Sequence, residues 1–315
     1  MTDQVNEGPI NEGPINEDPI NEDPINEDPI NDGAVNEGVR ARPAEALRPF
    51  IAYYSGYRQA GIEPAEHRGL PSPYLTLIFT LHEPLTVAEH PDPSQAAAQY
   101  VTLAGGLHSS PALVTHDGSQ SGVQLALSPL GARAILGVPA GDLAVIDVDG
   151  TDVLGGFAAE VHERLREAGG WPERFGVLDE LLAARLTDGG PGISSDVDYS
   201  WKRLLAVGGD LSISELATET GWSETYLRKA FKHEIGLTPK AAARVIRFHR
   251  ARLALQRRAA TGRRLDLAGL AVDCGYYDQA HLDLEFRALA GSAPTSWLAR
   301  EYRNFQAFEG GAAEG

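Results

Sequence analysis

Between Leu211 and Pro239 the apolar positions fall into two short helical stripes separated by a turn. Ile213, Leu216 and Ala217 share one face of the first, and Tyr226, Leu227, Ala230 and Phe231 share one face of the second. Ser212-Ile213-Ser214-Glu215 has capping-box spacing, in which a hydroxyl and a carboxylate satisfy N–H groups exposed at a helix start. Gly221 stands where a helix end favours positive φ. Ser223 is placed to cap the second helix, and Gly236 to end it. The face opposite the second stripe carries Glu224, Thr225, Arg228, Lys229, Lys232 and His233. The pattern predicts a helix-turn-helix whose second helix is polar and basic outward, the kind that enters a DNA major groove.

The same pattern recurs. Ala217 and Gly221 return 54 residues later as Ala271 and Gly275, and Leu227, Phe231, Gly236 and Pro239 return 55 residues later as Leu282, Phe286, Gly291 and Pro294. The extra residue falls in the turn, at Tyr276-Tyr277, and Asp278 takes the capping place of Ser223. Between the copies, Thr238 as cap and Pro239 at the first helical position open one long helix to about Ala259. Its expected buried stripe is Val245, Ile246, Phe248 and Leu253, with Arg244, Arg247, Arg250, Arg252, Arg257 and Arg258 adding positive charge.

Upstream the period changes. Residues 50–54, 74–79, 100–103, 112–116 and 122–127 are short runs of aromatic and branched residues with Gly, Pro and Asp between them. They predict strands of a barrel or sandwich. A short helix is expected within Ser128–Gly137, and longer ones over Val153–Ala168 and Pro172–Leu186. The last two either pack on their own sheet or form a dimer seam. Residues 6–30 repeat NEGPI and NEDPI, with decayed copies to Arg40. Proline every fifth residue bars a helix and one isoleucine per unit builds no core, so a disordered acidic tail is expected. The expected organisation is a tail at 1–40, a regulatory or dimerisation domain at 41–188, a Gly/Pro/Ser linker at 189–197, a DNA-binding domain at 198–305 with a closing helix over Thr295–Arg303, and a loose end at 306–315.

The net charge of −17 argues against a DNA binder until it is divided along the chain. Residues 1–39 carry 11 acids and no Lys or Arg, residues 40–201 a net −10, the last ten −2, and residues 202–305 a net +6. Only the doubled segment is basic, so phosphate contact belongs there.

The pattern A-x3-G-W-S-x3-L-x3-F-K-x3-G-x2-P from Ala217, followed by GYYDQAHL from Gly275, resembles the AraC/XylS family of bacterial transcription regulators over roughly Leu211 to Tyr302. The resemblance implies two helix-turn-helix units joined by one long helix, set in successive major grooves about 34 Å apart. By motif position it places base contacts at Thr225, Arg228 and Lys229. Arg228 can fork onto guanine O6 and N7 and Thr225 can meet a thymine methyl, while Gln279 of the second unit can hold adenine. Ser223, Lys232, Arg247 and His281 are the expected phosphate contacts. The places of Arg228 and Lys229 hold Asp283 and Leu284 in the second unit, which predicts a looser half-site there. GLPSPYLTLIF and QLALSPLGARAILGVPAGDL resemble the N-terminal halves of one branch of that family. They imply a regulatory, cupin-like domain that takes a small-molecule effector or pairs subunits. The fold class expected is therefore α+β, with a strand-rich N-terminal domain carrying two helices and an all-α double helix-turn-helix domain.

Candidate chemistry changes this little. No HExxH, Gly-x-Ser-x-Gly or P-loop pattern is present, and the nine histidines show no ligand spacing. No cofactor, metal or catalytic residue is expected. The single cysteine, Cys274, falls on an inward helix face and reads as a packed thiol. No apolar run nears the ~18 residues of a membrane span, and no signal-peptide pattern opens the chain. The expectation is a cytoplasmic, nucleoid-associated DNA-binding regulator whose partners are double-stranded DNA and RNA polymerase. A small-molecule effector and a second copy of the chain are the candidates at its N-terminal part. The rival is a transcription-complex adaptor that touches polymerase with little base readout.

Overall fold

The computed structural model describes residues 34–186, 193–262 and 265–300. Most of the acidic repeat tail, the first four residues of the expected linker and the chain end therefore lie outside the described residues. The first half forms two antiparallel sheets, with strand orders β1-β2-β9-β4-β7-β10 and β3-β8-β5-β6. The strands are β1 (Val35–Ala41), β2 (Ile51–Ala60), β3 (Ala65–Gly69), β4 (Leu75–Thr80), β5 (Leu85–Glu89), β6 (Ala98–Tyr100), β7 (Thr102–Gly105), β8 (Ala112–His116), β9 (Gln120–Leu127) and β10 (Asp147–Asp149). Alternation along β4 sends Leu75, Leu77 and Phe79 to the main core, while Ile78 joins Leu85, Val87, Tyr100, Leu103 and Val114 between the sheets.

Strand β1 corrects the tail expectation, which ran through residue 40. Val35–Ala41 pairs along β2 from Val35↔Ala60 to Ala41↔Tyr54. The repeat loses its proline after Pro29, so every residue of β1 has an N–H for the ladder. Strands β3 and β5 were not anticipated either.

The helices are α1 (Pro129–Gly131), α2 (Gly150–Leu154), α3 (Gly156–Glu167), α4 (Trp171–Leu186), α5 (Ser195–Ala206), α6 (Ile213–Thr220), α7 (Glu224–Ile235), α8 (Pro239–Ala260), α9 (Leu267–Asp273) and α10 (Gln279–Ala290). A further helix begins at residue 294 and reaches the end of the described residues. One helix expected over Val153–Ala168 is two, because Gly155 between them takes φ 60°. Helix α5 starts at Ser195, inside the expected linker. Helix α4 packs on the strands through Phe175, Leu178 and Leu182, with the Phe175 ring stacked 5.8 Å from that of Tyr54. No helix among the described residues is long and apolar enough to cross a membrane.

Helix α8 divides the hydrophobic interior. Ala242, Ala243, Val245 and Ile246 join one core running from the sheets through α3, α4 and α5 into the first helix-turn-helix. Phe248, Ala251 and Leu255 join a separate core with the second. Leu255, not Leu253, completes the buried stripe. The strand-rich half also packs on the C-terminal end of α7. Arg133 makes a two-pronged ion pair with Glu234, at 2.7 and 2.8 Å, both side chains largely buried. A Cβ at Gly141 would stand 2.0 Å from the His233 carbonyl oxygen, so this turn closes on α7 only with glycine there. Farther along, the Tyr74 ring meets His249 of α8 edge-on at 5.9 Å.

Candidate nucleic-acid interface

Local signals build the first unit as read. Ser212 Oγ accepts from Glu215 N–H at 3.2 Å and Glu215 Oε2 accepts from Ser212 N–H at 2.8 Å, which closes the capping box on α6. Gly221 at φ 69° turns the chain, and Ser223 Oγ accepts from Tyr226 N–H at 3.3 Å to start α7. Leu227 and Phe231 are fully buried and fix the rotation of α7. Thr225, Arg228, Lys229 and Lys232, spaced at helical intervals, are exposed together on its outer face.

The electrostatics of that face follow from where its acids go. Glu234 is turned away to Arg133. Glu224 lies 3.9 Å from Arg228, an exposed pair worth little in water and readily exchanged for a base edge. Arg228, Lys229 and Lys232 remain as cations facing solvent. Ser223 uses its oxygen as an acceptor in the cap, and its O–H is still free to donate. Tyr226 contradicts its expected place in the core. It is 57% exposed, with its ring packed edge-on against Trp222 at 4.6 Å, while Leu227, Phe231 and Ile235 fill the interior beneath α7.

The second unit repeats the hydrogen bonding that closes the first helix of the pair. Trp222 N–H donates to the Ala217 carbonyl at 3.1 Å, and Tyr276 N–H donates to the Ala271 carbonyl at 2.9 Å. Gly275 takes φ 79° where Gly221 takes 69°. Tyr277 is the inserted residue and stands 88% exposed. Asp278 Oδ1 accepts from His281 N–H at 2.8 Å and starts α10. Cys274 is buried here, which pushes its thiol pKa up, as a packed thiol should be.

Gln279 and His281 are exposed at the start of α10. His281 Nδ1 accepts from Tyr277 N–H at 3.4 Å, a tautomer that leaves Nε2–H as an outward donor. Arg247, expected at phosphate, also has a place inside the protein. Its guanidinium donates to the Gly209 carbonyl at 3.1 Å, its Nε is buried, and its stem lies beside Gly275. It is a strut between the two units, since the turn before α6 and the turn after α9 both close over it.

Two family matches bear on this geometry. A family described as "Helix-turn-helix domain" matches residues 202–300, and one described as "Domain of unknown function (DUF6597)" matches residues 39–149. The chain carries an AraC-type helix-turn-helix domain. Its two units and the connecting α8 fall within the matched residues, which begin inside α5. Domains of this type belong to DNA-binding transcription regulators. Among solved structures, the chain is similar to ToxT from Vibrio cholerae at 11% identity, over 78% of this chain and 97% of that one, with a TM-score of 0.48. An unsaturated fatty acid bound ToxT from strain SCE256 matches at 10% identity, over 87% and 100%, with a TM-score of 0.49. The C-terminal domain of AraT, a response regulator from Geobacillus stearothermophilus, matches at 21% identity, over 34% and 87%, with a TM-score of 0.31. No curated protein matches the chain. At these identities residue roles in the AraC-type domain have to be read from its own side chains.

Proposed function

We propose that the chain is a sequence-specific transcription regulator that lays α7 and α10 in successive major grooves of one duplex, under the control of its strand-rich half. The observation that carries this reading is the outward face of α7, where Thr225, Arg228, Lys229 and Lys232 are exposed while Glu234 is withdrawn. Helix α8 has 22 residues, a rod of about 33 Å at the usual rise per residue. That length suits two units set about one turn of DNA apart.

In this reading Thr225, Arg228, Lys229 and Gln279 meet base edges, and Ser223, Lys232 and His281 hold phosphate. The protein works in the cytoplasm on the nucleoid, with RNA polymerase as a partner. Control runs through the seam at Arg133 and Glu234, because any shift of the strand-rich half moves the end of α7. A cavity of about 550 Å³ beside α3, lined by Thr102, Asp149, His162 and Arg166 among others, has room for a small-molecule effector. A second copy of the chain is the remaining candidate partner for this half.

Replacing Arg228 by alanine is expected to cost about 1–3 kcal/mol of discrimination at one base pair. Its affinity for random duplex should change far less. Competition binding against a panel of single-base-pair variants reads this directly. Equal weakening on cognate and random DNA would remove Arg228 from base readout. The adaptor reading is favoured by one observation, Leu284 exposed where the first unit has Lys229. Footprinting on random genomic fragments separates the two, because an adaptor alone protects no defined site.

A further inference from the structure

The two recognition helices present different chemistry from one scaffold. At the repeat offset of 55 residues, Thr225, Lys229 and His233 of α7 correspond to Ala280, Leu284 and Ala288 of α10. All six are exposed. On α10 they form an aliphatic row at i, i+4 and i+8 along the face that would enter the groove. Leu284 in its centre is 63% exposed, an unusual place for a large aliphatic side chain unless something covers it.

The acids of α10 do not share that row. Glu285 is paired with Arg244 at 2.6 Å, and Asp278 is occupied as the helix cap. Asp283 is half-buried, with one carboxylate oxygen shut away from water. What α10 offers outward is the Gln279 amide, then the aliphatic row, with His281 and Arg287 as the polar groups beside it. The row has no donor to fork onto guanine. In a major groove the one aliphatic feature of the floor is the thymine C5 methyl, and its paired adenine presents N6 and N7 to a glutamine amide.

Resting on the DNA-binding reading above, we propose that α10 reads A·T pairs and that Leu284 is the specificity-determining residue of that half-site, packing on a thymine methyl. The second half-site is then read by methyl contact and the Gln279 amide, where the first is read by Arg228 forking onto guanine. This replaces the expectation that Leu284 only loosens recognition. The row is narrow, one leucine between two alanines, which fits a groove floor better than the broad apolar patch of a protein-binding surface.

The test begins with selection of bound sites from random duplexes by the full chain, and the Arg228→Ala variant identifies the half-site under α7. Each thymine of the other half-site is then replaced singly by deoxyuridine, which removes only the methyl. The expected result is a loss of about fourfold at one or two positions, the worth of one buried methyl group. Leu284→Ala, a change at an exposed position, is expected to bind thymine and deoxyuridine duplexes equally there. Selection of a G·C-rich second half-site would overturn the proposal. So would equal binding of deoxyuridine duplexes by the unaltered chain, or a methyl effect that persists in Leu284→Ala. A Leu284→Ala chain that keeps its site preference but loses reconstituted transcription would assign the row to polymerase instead. Selection of no site at all would bring down the DNA-binding reading and this one with it, a result distinct from a site that ignores the methyl.

Discussion

Phe286→Ala is expected to loosen the second helix-turn-helix unit while the first stays folded. Phe286 is fully buried, with the Phe248 ring 5.0 Å away at 66° and the Trp297 ring at 6.0 Å. It is the centre of the separate core that α8 shares with α9 and α10. Truncating a buried phenylalanine costs about 3–5 kcal/mol, from lost transfer energy and the cavity left behind. A core this small has little else to offset that loss. Its counterpart Phe231 belongs to the larger core that continues into the sheets. Segment-resolved hydrogen exchange should therefore show α9 and α10 amides losing protection in Phe286→Ala while α7 amides keep theirs. On DNA, one half-site should lose protection. Uniform loss of protection across the chain would show that the two cores do not behave as separate units.

Acidification below pH 6.5 is expected to destabilise the folded chain. Burial, together with the charges of Arg252 and Arg40, lowers the His249 pKa to about 3. Burial and the nearby His116 lower that of His67 to about 4. Arg252 donates to His249 Nδ1 at 3.3 Å, a contact that only the neutral ring can accept. Both rings are thus neutral when folded at a pH where the unfolded chain protonates them. Their contribution is complete above about pH 6.5, and falls by up to ~1.4 kcal/mol per pH unit for each ring as the pH drops towards the folded values. By pH 5 that is at most about 2 kcal/mol for each, less to the extent that water reaches the rings. His108, His116 and His162 are shifted in the same direction. Urea unfolding at pH 7 and pH 5 measures the drop, and His249→Gln should make it shallower. Stability that is level between these pH values would contradict the burial of these rings. Because His249 packs on Tyr74, the same titration weakens the contact between the strand-rich half and α8.

Both helix-turn-helix units could be read from the sequence because their signals are local. A cap at Ser212, Ser223 or Asp278 and a glycine at 221, 236, 275 or 291 each act within a few residues of themselves. The repeat then doubled every signal. The strand at Ala112–His116 was legible for the same reason, as a short run of β-formers between turn residues. Strand β1 was not, because Val35–Ala41 has the composition of the tail and becomes a strand only when β2 is beside it. The exposure of Tyr226 depends on Trp222 and on how much room Leu227 and Phe231 leave, which periodicity does not encode. The bridging contacts of Arg247 are not legible in its sequence position, which shows only a cation on the polar side of its helix. Its actual neighbours, Gly209 and Gly275, come from turns 38 residues before it and well after it. The seam was invisible for the same reason. Arg133 and Glu234 lie 101 positions apart, and only the folded chain makes them a pair.

The account depends on α7 and α10 lying in neighbouring grooves of one duplex. Hydroxyl-radical footprinting of the full chain on a selected site tests that most directly. The predicted result is two protected stretches on one face of the duplex, centred about 10 base pairs apart, with Arg228→Ala altering one and Leu284→Ala the other. A single protected stretch touched by both substitutions, or two stretches on opposite faces, would contradict it.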